Sequence, residues 1–438
     1  MATVKLGTVT QGDQRNLIKA FRTTGMIVKS SFGNYIEDDS GKRYLDFTAG
    51  STTAIGYSHP KLTQTLLKQV AAGFDHIDRY NGILQIESEL SDEVKRVLPP
   101  KTSKGKIVFG HSGSDAVEKA IRLVRYATGH PFIVSSYEAH HGANATALSA
   151  SPTKKEMGTN IISRFFELPG FIHIPFPDPY RPWFEDAEHE GQQCLAFFER
   201  IISNVLSPGL IAGVIIEPIL SYGGNIVPPD GYFQGLQKIC RKNEIPFIID
   251  EVLTGIGKTG KMFALEHWNL DPDLICIGKA LSGPLPLSLT VASIPLSDKW
   301  ENKDYAGISK DGYVLGCAAA IEILRIVHDE KLVANSARVG SYLQSRLHDM
   351  KKDLKIAGDV RGLGLMMAIE FVISEKTTKP AASLVENVVS IAKKKGLLIG
   401  RVGAKGNVIR FLPSLTVEEK DVDVALKILE DSILQARS

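Results

Sequence analysis

Between residues 107 and 293, short apolar runs alternate with segments of helical period, and no other feature of the chain constrains its fold as tightly. The runs fall at 107–109, 132–135, 213–216, 246–249, 274–277 and 290–293, each bounded by Gly, Pro or charge. Apolar runs of this length without polar alternation suit strands buried on both faces, as in a parallel sheet covered by helices. Between them, Ala116, Val117, Ala120, Ile121 and Val124 recur at a spacing that lays one apolar stripe along a helix. The expected architecture is therefore α/β. Beyond about residue 305 the texture changes to helices at 318–328 and 332–351, then Gly-rich strands at 362–371 and 408–411. That pattern predicts a smaller α+β domain. A strand-and-turn pattern at 34–47, around Asp38, Asp39, Ser40 and Gly41, predicts an N-terminal segment packed against it. A length of 438 residues calls for more than one core, and the expected division is 1–60, 61–305 and 306–438.

Charge and cysteine usage narrow the function classes. The 51 basic and 49 acidic residues leave a net charge of +2 with neither sign gathered into a block, which disfavours nucleic acid as a partner. Cys194, Cys240, Cys276 and Cys317 match neither a metal knuckle nor a dense disulfide framework. No apolar leader follows Met1 and no window is long enough to span a membrane, so a cytoplasmic protein is expected.

Four local patterns carry chemistry. Asp250 and Glu251 end the run 246–249, and acids at the carboxyl end of a buried strand sit where open α/β sheets bind ligands. They serve equally as a helix cap or half of a buried ion pair. Lys279 follows the run 274–277; it is either a solvated surface lysine or an amine desolvated enough to act as a nucleophile. Ser112, Gly113 and Ser114 open the amphipathic helix that begins near Ala116, a geometry that suits a phosphate or needs no more than a serine cap. Arg410 is a lone cation inside the apolar run 408–411 and must pair with an internal acid or with a ligand carboxylate. Two patterns mislead. The stretch from Gly255 to Thr259 imitates a phosphate loop, but Val252 stands where its first glycine belongs. His111, His140 and His141 lack a third ligand at metal spacing, so no metal is expected.

Taken together, a phosphate cradle, a strand-end acid, a loop lysine and a late arginine are what a pyridoxal phosphate enzyme needs. The chain resembles the class III aminotransferases of fold type I, from about residue 32 to 429. The most specific stretch is IIDEVLTGIGKTGKMFALEHWNLDPDLICIGK at 248–279, similar to the family's DEVQTGFGRTGKMFA. HSGSDAVEKAIRLVRYATG, EPILSYGGNIVPPDGY, GDVRGLGLMMAIE and NVIRFLPSLT support it. The resemblance implies a large domain with a mostly parallel seven-stranded sheet covered by helices. It implies that Lys279 forms the Schiff base with pyridoxal 5′-phosphate and serves as acid and base at Cα. Asp250 would contact the ring nitrogen, and Ser112, Gly113 and Ser114 the phosphate. Ser309 lies near the family's threonine that reaches the other subunit's phosphate, although ISKDGYVLG departs from the family's HTFSGNPLA. Glu217 would order the site, and Arg410 would bind the substrate carboxylate.

Three departures qualify that carry-over. Leu253 replaces a glutamine that reaches the cofactor's ring oxygen. His140 occupies the place of an aromatic ring that stacks on the pyridine. Tyr222 replaces the glutamate with which many ω-amino-acid enzymes neutralise the carboxylate-binding arginine, which makes Tyr222 a substrate-facing residue and weakens a 4-aminobutyrate assignment. The implied reaction exchanges an amino group between an amino acid or amine and a 2-oxo acid. Decarboxylating transamination of the dialkylglycine decarboxylase type and racemisation or epimerisation are alternatives. The implied assembly is a homodimer or a dimer of dimers.

Overall fold

The computed structural model describes residues 26–75, 82–152, 168–300, 311–374 and 376–437, so Ser309 lies outside the described residues. Its strands, in chain order, are β1 (Val28–Phe32), β2 (Tyr35–Asp38), β3 (Arg43–Asp46), β4 (Lys106–Gly110), β5 (Phe132–Ser136), β6 (Phe171–Ile174), β7 (Ile211–Ile216) and β8 (Phe247–Asp250). They continue with β9 (Leu274–Ile277), β10 (Ser288–Ala292), β11 (Ala357–Leu363), β12 (Met366–Ser374), β13 (Thr377–Pro380), β14 (Leu397–Leu398), β15 (Gly400–Val402) and β16 (Val408–Phe411).

The central sheet has seven strands in the order β4-β10-β9-β8-β7-β5-β6. The β5–β6, β5–β7, β7–β8 and β8–β9 pairs are parallel. Every residue of β7, β8 and β9 is buried, which is why these strands read as unbroken apolar runs. Strand β10 runs antiparallel to both β9 and β4. Only residues 278–287 separate it from β9, too few for a parallel crossover, which needs about a dozen or more. Strand β6 has no counterpart in the sequence reading. It lies at the sheet edge, is mostly half-buried, and its Phe-Ile-His-Ile run carries a polar residue where a core strand would not.

Helix Gly113–Thr128 packs on this sheet through Ala116, Val117, Ala120, Ile121 and Val124. Ser112 caps its start by accepting a hydrogen bond from the Asp115 N–H at 3.2 Å, and Gly129 in left-handed conformation ends it. The N-terminal strands form a meander, β1-β2-β3, that takes β14 as a parallel neighbour of β3. The remaining sheet is antiparallel, ordered β11-β12-β16-β15 with β13 on β12; helices Val314–Asp329 and Leu332–Asp353 precede it. The run expected at 362–371 is a hairpin, since β11 ends and β12 begins on either side of Gly364, whose φ is +54°. All four cysteines are buried and none forms a disulfide. Among the described residues no helix is long and apolar enough to cross a membrane, and no cluster of three or more His, Cys, Asp or Glu side chains could hold a metal.

Candidate active site

A cavity of about 490 Å³ opens where the central strands end, and it gathers side chains that are far apart in sequence. Ser112, Gly113 and Ser114 enter it just beyond β4, His140 and His141 beyond β5, Glu217 directly after β7, Asp250 as the last residue of β8, and Lys279 just beyond β9. This carboxyl edge is where an open α/β sheet leaves a crevice for ligands.

Asp250 is 4 % exposed, and its carboxylate is fixed from two sides. Oδ2 accepts a hydrogen bond from His141 Nδ1 at 2.7 Å, and Oδ1 accepts the Val252 N–H at 3.0 Å. A carboxylate that only accepts makes Nδ1 the protonated nitrogen of His141, leaving Nε2, which is buried without a partner. The His141 N–H donates to Ser151 Oγ at 2.7 Å.

Lys279 opens a single helical turn, Lys279–Leu281, with φ at +46°, a left-handed conformation that is strained for any residue with a Cβ. Burial pulls its ammonium below the ordinary amine range; Asp250 and Glu217 oppose that, and Arg410 adds to it. The outcome is an amine that gives up its proton more readily than a surface lysine.

Glu217 is buried and spans two loops. One oxygen accepts the His140 N–H at 2.8 Å and the other the Ser221 N–H at 3.4 Å, while burial pushes the carboxyl up from its ordinary range. The His140 ring packs against Tyr222 with centroids 4.2 Å apart. Burial first, then the charge of Lys279, lowers His140 to about 4, so the imidazole is neutral at physiological pH. The Arg410 guanidinium sits 5.8 Å from the centre of the Tyr222 ring. Its Nε and Nη1 are shut off from solvent and have no hydrogen-bond partner. The internal acid that the sequence left open for Arg410 is not found among the described residues. Tyr222 and Arg410 stand behind His140 rather than on the cavity wall itself.

The mouth of the cavity is shaped for a group that approaches backbone closely. The first N–H groups of helix Gly113–Thr128 have no intrahelical acceptor. Within that first turn, Ser114 Oγ accepts the N–H of Ala143, from the loop beyond β5, at 3.0 Å. Gly142 has φ at +151°, and a Cβ there would lie 2.5 Å from Ser114 Oγ. A Cβ on Gly113 would meet Val252 at 2.4 Å. Leu253, at the position of the family's glutamine, gives that wall an apolar surface. A fixed carboxylate, an activated amine and a helix N-terminus cleared of side chains fit pyridoxal phosphate in charge and in kind.

The family description aminotransferase class-III matches residues 19–433. The chain belongs to the class III aminotransferases. An alanine/serine racemase of Pyrococcus horikoshii is 32 % identical over 93 % of this chain and 85 % of its own length. A 4-aminobutyrate aminotransferase of Mycobacterium bovis is 33 % identical over 93 % and 92 %. Among solved structures, an (S)-enantioselective omega-transaminase from Thermomicrobium roseum superposes with a TM-score of 0.90 at 26 % identity, covering 100 % of both chains. As a class III aminotransferase the protein depends on pyridoxal phosphate and moves an amino group between an amino acid or amine and a 2-oxo acid. Its fold is the fold type I architecture expected from the sequence.

Two features of this aminotransferase escaped the sequence reading. The His141–Asp250 bond joins residues 109 apart, and the Glu217–His140 bond residues 77 apart. The only sequence signal was the His-Gly pair at 141–142, which the reading used as a landmark for His140.

Proposed function

We propose that this aminotransferase acts on substrates whose carboxylate docks on Arg410, α-amino acids in one direction and their 2-oxo acids in the other. The observation that carries the reading is the half-buried Arg410 guanidinium beside the cavity, two of whose nitrogens are shut off from solvent and unpartnered. Guanidinium nitrogens shut off from solvent without an anion are unfavourable, and a planar carboxylate completes them through two parallel hydrogen bonds. Tyr222 supports the reading: a phenol at the place of a neutralising glutamate leaves the arginine's charge to the substrate.

In this proposal Lys279 holds the cofactor and transfers the proton at Cα, its lowered affinity for protons matching a base that must be neutral to act. Asp250 faces the ring nitrogen, and the His141 bond orients its carboxylate. Ser112, Gly113 and Ser114 hold the phosphate, His140 covers the ring, and Glu217 fixes the loops of His140 and Tyr222. When bound, pyridoxal phosphate supplies an electron sink for the pair left by a broken Cα bond. We further take the protein to be a cytoplasmic homodimer in which Ser309 serves the neighbouring subunit's phosphate, with the large domain at 61–305. Sedimentation velocity giving a monomer would remove the dimer.

The absorption spectrum of the holoenzyme tests the reading. Alanine, ornithine, 4-aminobutyrate, 2-aminoisobutyrate and a 2-oxo acid are added in turn, and CO₂ is collected. α-Amino acids are expected to shift the cofactor band and a 2-oxo acid to restore it without gas. Equal turnover in Arg410→Ala would remove the carboxylate assignment. A second reading, racemisation, draws on the similarity to the alanine/serine racemase of Pyrococcus horikoshii. It predicts loss of alanine's chirality with no 2-oxo acid formed.

A further inference from the structure

Glu370 is 1 % exposed on β12 and lies outside the cavity that holds Lys279. Strand β12 pairs with β16 so that Ala368 stands opposite Arg410 and Glu370 opposite Val408. Side chains two residues apart on a strand, and those of directly opposed residues, share a face. Glu370 therefore lies on the same face as Arg410, one position along, yet it does not neutralise it. Both its oxygens are engaged elsewhere.

Oε2 accepts from Arg361 Nη2 at 2.7 Å. Oε1 accepts from Asn407 Nδ2 at 3.0 Å and from Arg181 Nε at 2.5 Å. Arg361 and Asn407 each lead to a different segment beside Arg410. Arg361 also donates from Nη1 to Asp359 at 2.9 Å and from Nε to the Gly224 carbonyl at 2.8 Å, which pins the loop carrying Tyr222. Asn407 stands immediately before β16 and donates to the Phe371 carbonyl at 2.8 Å, which pins the start of the strand carrying Arg410. The Tyr222 loop is also tied to the turn between β15 and β16, where the Gly403 N–H donates to the Tyr222 carbonyl at 3.0 Å. A buried acid thus bonds, through one side chain each, to the loop of Tyr222 and the strand of Arg410.

We infer that Glu370 is a positioning residue for carboxylate recognition: it sets the separation of Tyr222 and Arg410 while keeping its own charge from the arginine. The inference rests on the proposed reading of Arg410 as the carboxylate site. Glu370→Gln retains the shape and removes the charge that holds two arginines, and breaking a buried, hydrogen-bonded charge pair is costly at the site it organises. Arg361→Lys is a milder second variant, because an ammonium cannot reproduce the three-way guanidinium contact.

The experiment follows amide hydrogen exchange and propionate affinity in the holoenzyme, with the cofactor absorption band as a control. Expected for Glu370→Gln is exchange faster by roughly tenfold at 221–225 and 403–408, with 113–120 unchanged. Propionate should dissociate roughly tenfold more readily while the cofactor band stays in place. Arg361→Lys should move the same readings in the same direction by less. Unchanged exchange at 221–225 in both variants would overturn the inference, as would a loss of propionate affinity matched by an equal disturbance of the cofactor band. Arg410→Ala, measured alongside, separates the two ideas. If it still binds propionate normally, the carboxylate reading fails, and the exchange data alone decide whether Glu370 holds the two segments.

Discussion

Lys279, the proposed acid and base, is a side chain whose proton affinity is lowered by burial while its backbone is held at a left-handed φ of +46°. Lys279→Ala is expected to reduce kcat by roughly 10²–10⁴-fold, the range for loss of a positioned acid–base group, as read by steady-state kinetics. His140 makes a different prediction, on stability. Its value falls from 6.5 to about 4 in the folded state, so between those limits the unfolded chain binds the extra proton. Stability from this group therefore rises with pH and is lost as pH drops through the window. Cofactor-free His140→Phe should lose about 2 kcal/mol less than the parent between pH 7 and pH 5 in urea unfolding. At this scale the sequence was readable where one residue type could do few things. Lys279 and Asp250 stand out because each follows a buried apolar run. The partners of Asp250 and Glu217 were not readable, because long-range closure of the fold and not local pattern decides which histidine or which N–H reaches them.

At the scale of elements, the proposed phosphate cradle rests on one helix start and the loop beside it. The start of helix Gly113–Thr128 depends on the Ser112 cap, and Ser112→Ala is expected to lower unfolding free energy by about 1 kcal/mol. Gly142→Ala acts on the same place from the opposite side. With φ at +151° and a Cβ aimed at Ser114 Oγ, it should weaken cofactor binding by at least roughly tenfold in a fluorescence titration, with the helix intact by circular dichroism. Strand recognition divides along burial. Strands β7, β8 and β9 were legible because both of their faces are covered. Strand β6 was not, because an edge position tolerates His173 and breaks the run. The antiparallel course of β10 follows from a short connection, a constraint that apolar patterning does not encode.

Across the whole molecule, the two unpartnered, solvent-excluded nitrogens of the half-buried Arg410 carry a cost that the free enzyme bears every time it folds. Arg410→Met, which fills similar space without charge, is expected to raise the melting temperature of the substrate-free protein by roughly 2 °C or more while carboxylate binding is lost. Scanning calorimetry of both proteins, with and without a saturating monocarboxylate, measures the two effects together. A carboxylate that pairs with Arg410 should stabilise the parent and leave the variant unmoved. The resilience of the folded enzyme would then follow the supply of its own substrates, with a starved population unfolding and being degraded sooner than a well-fed one.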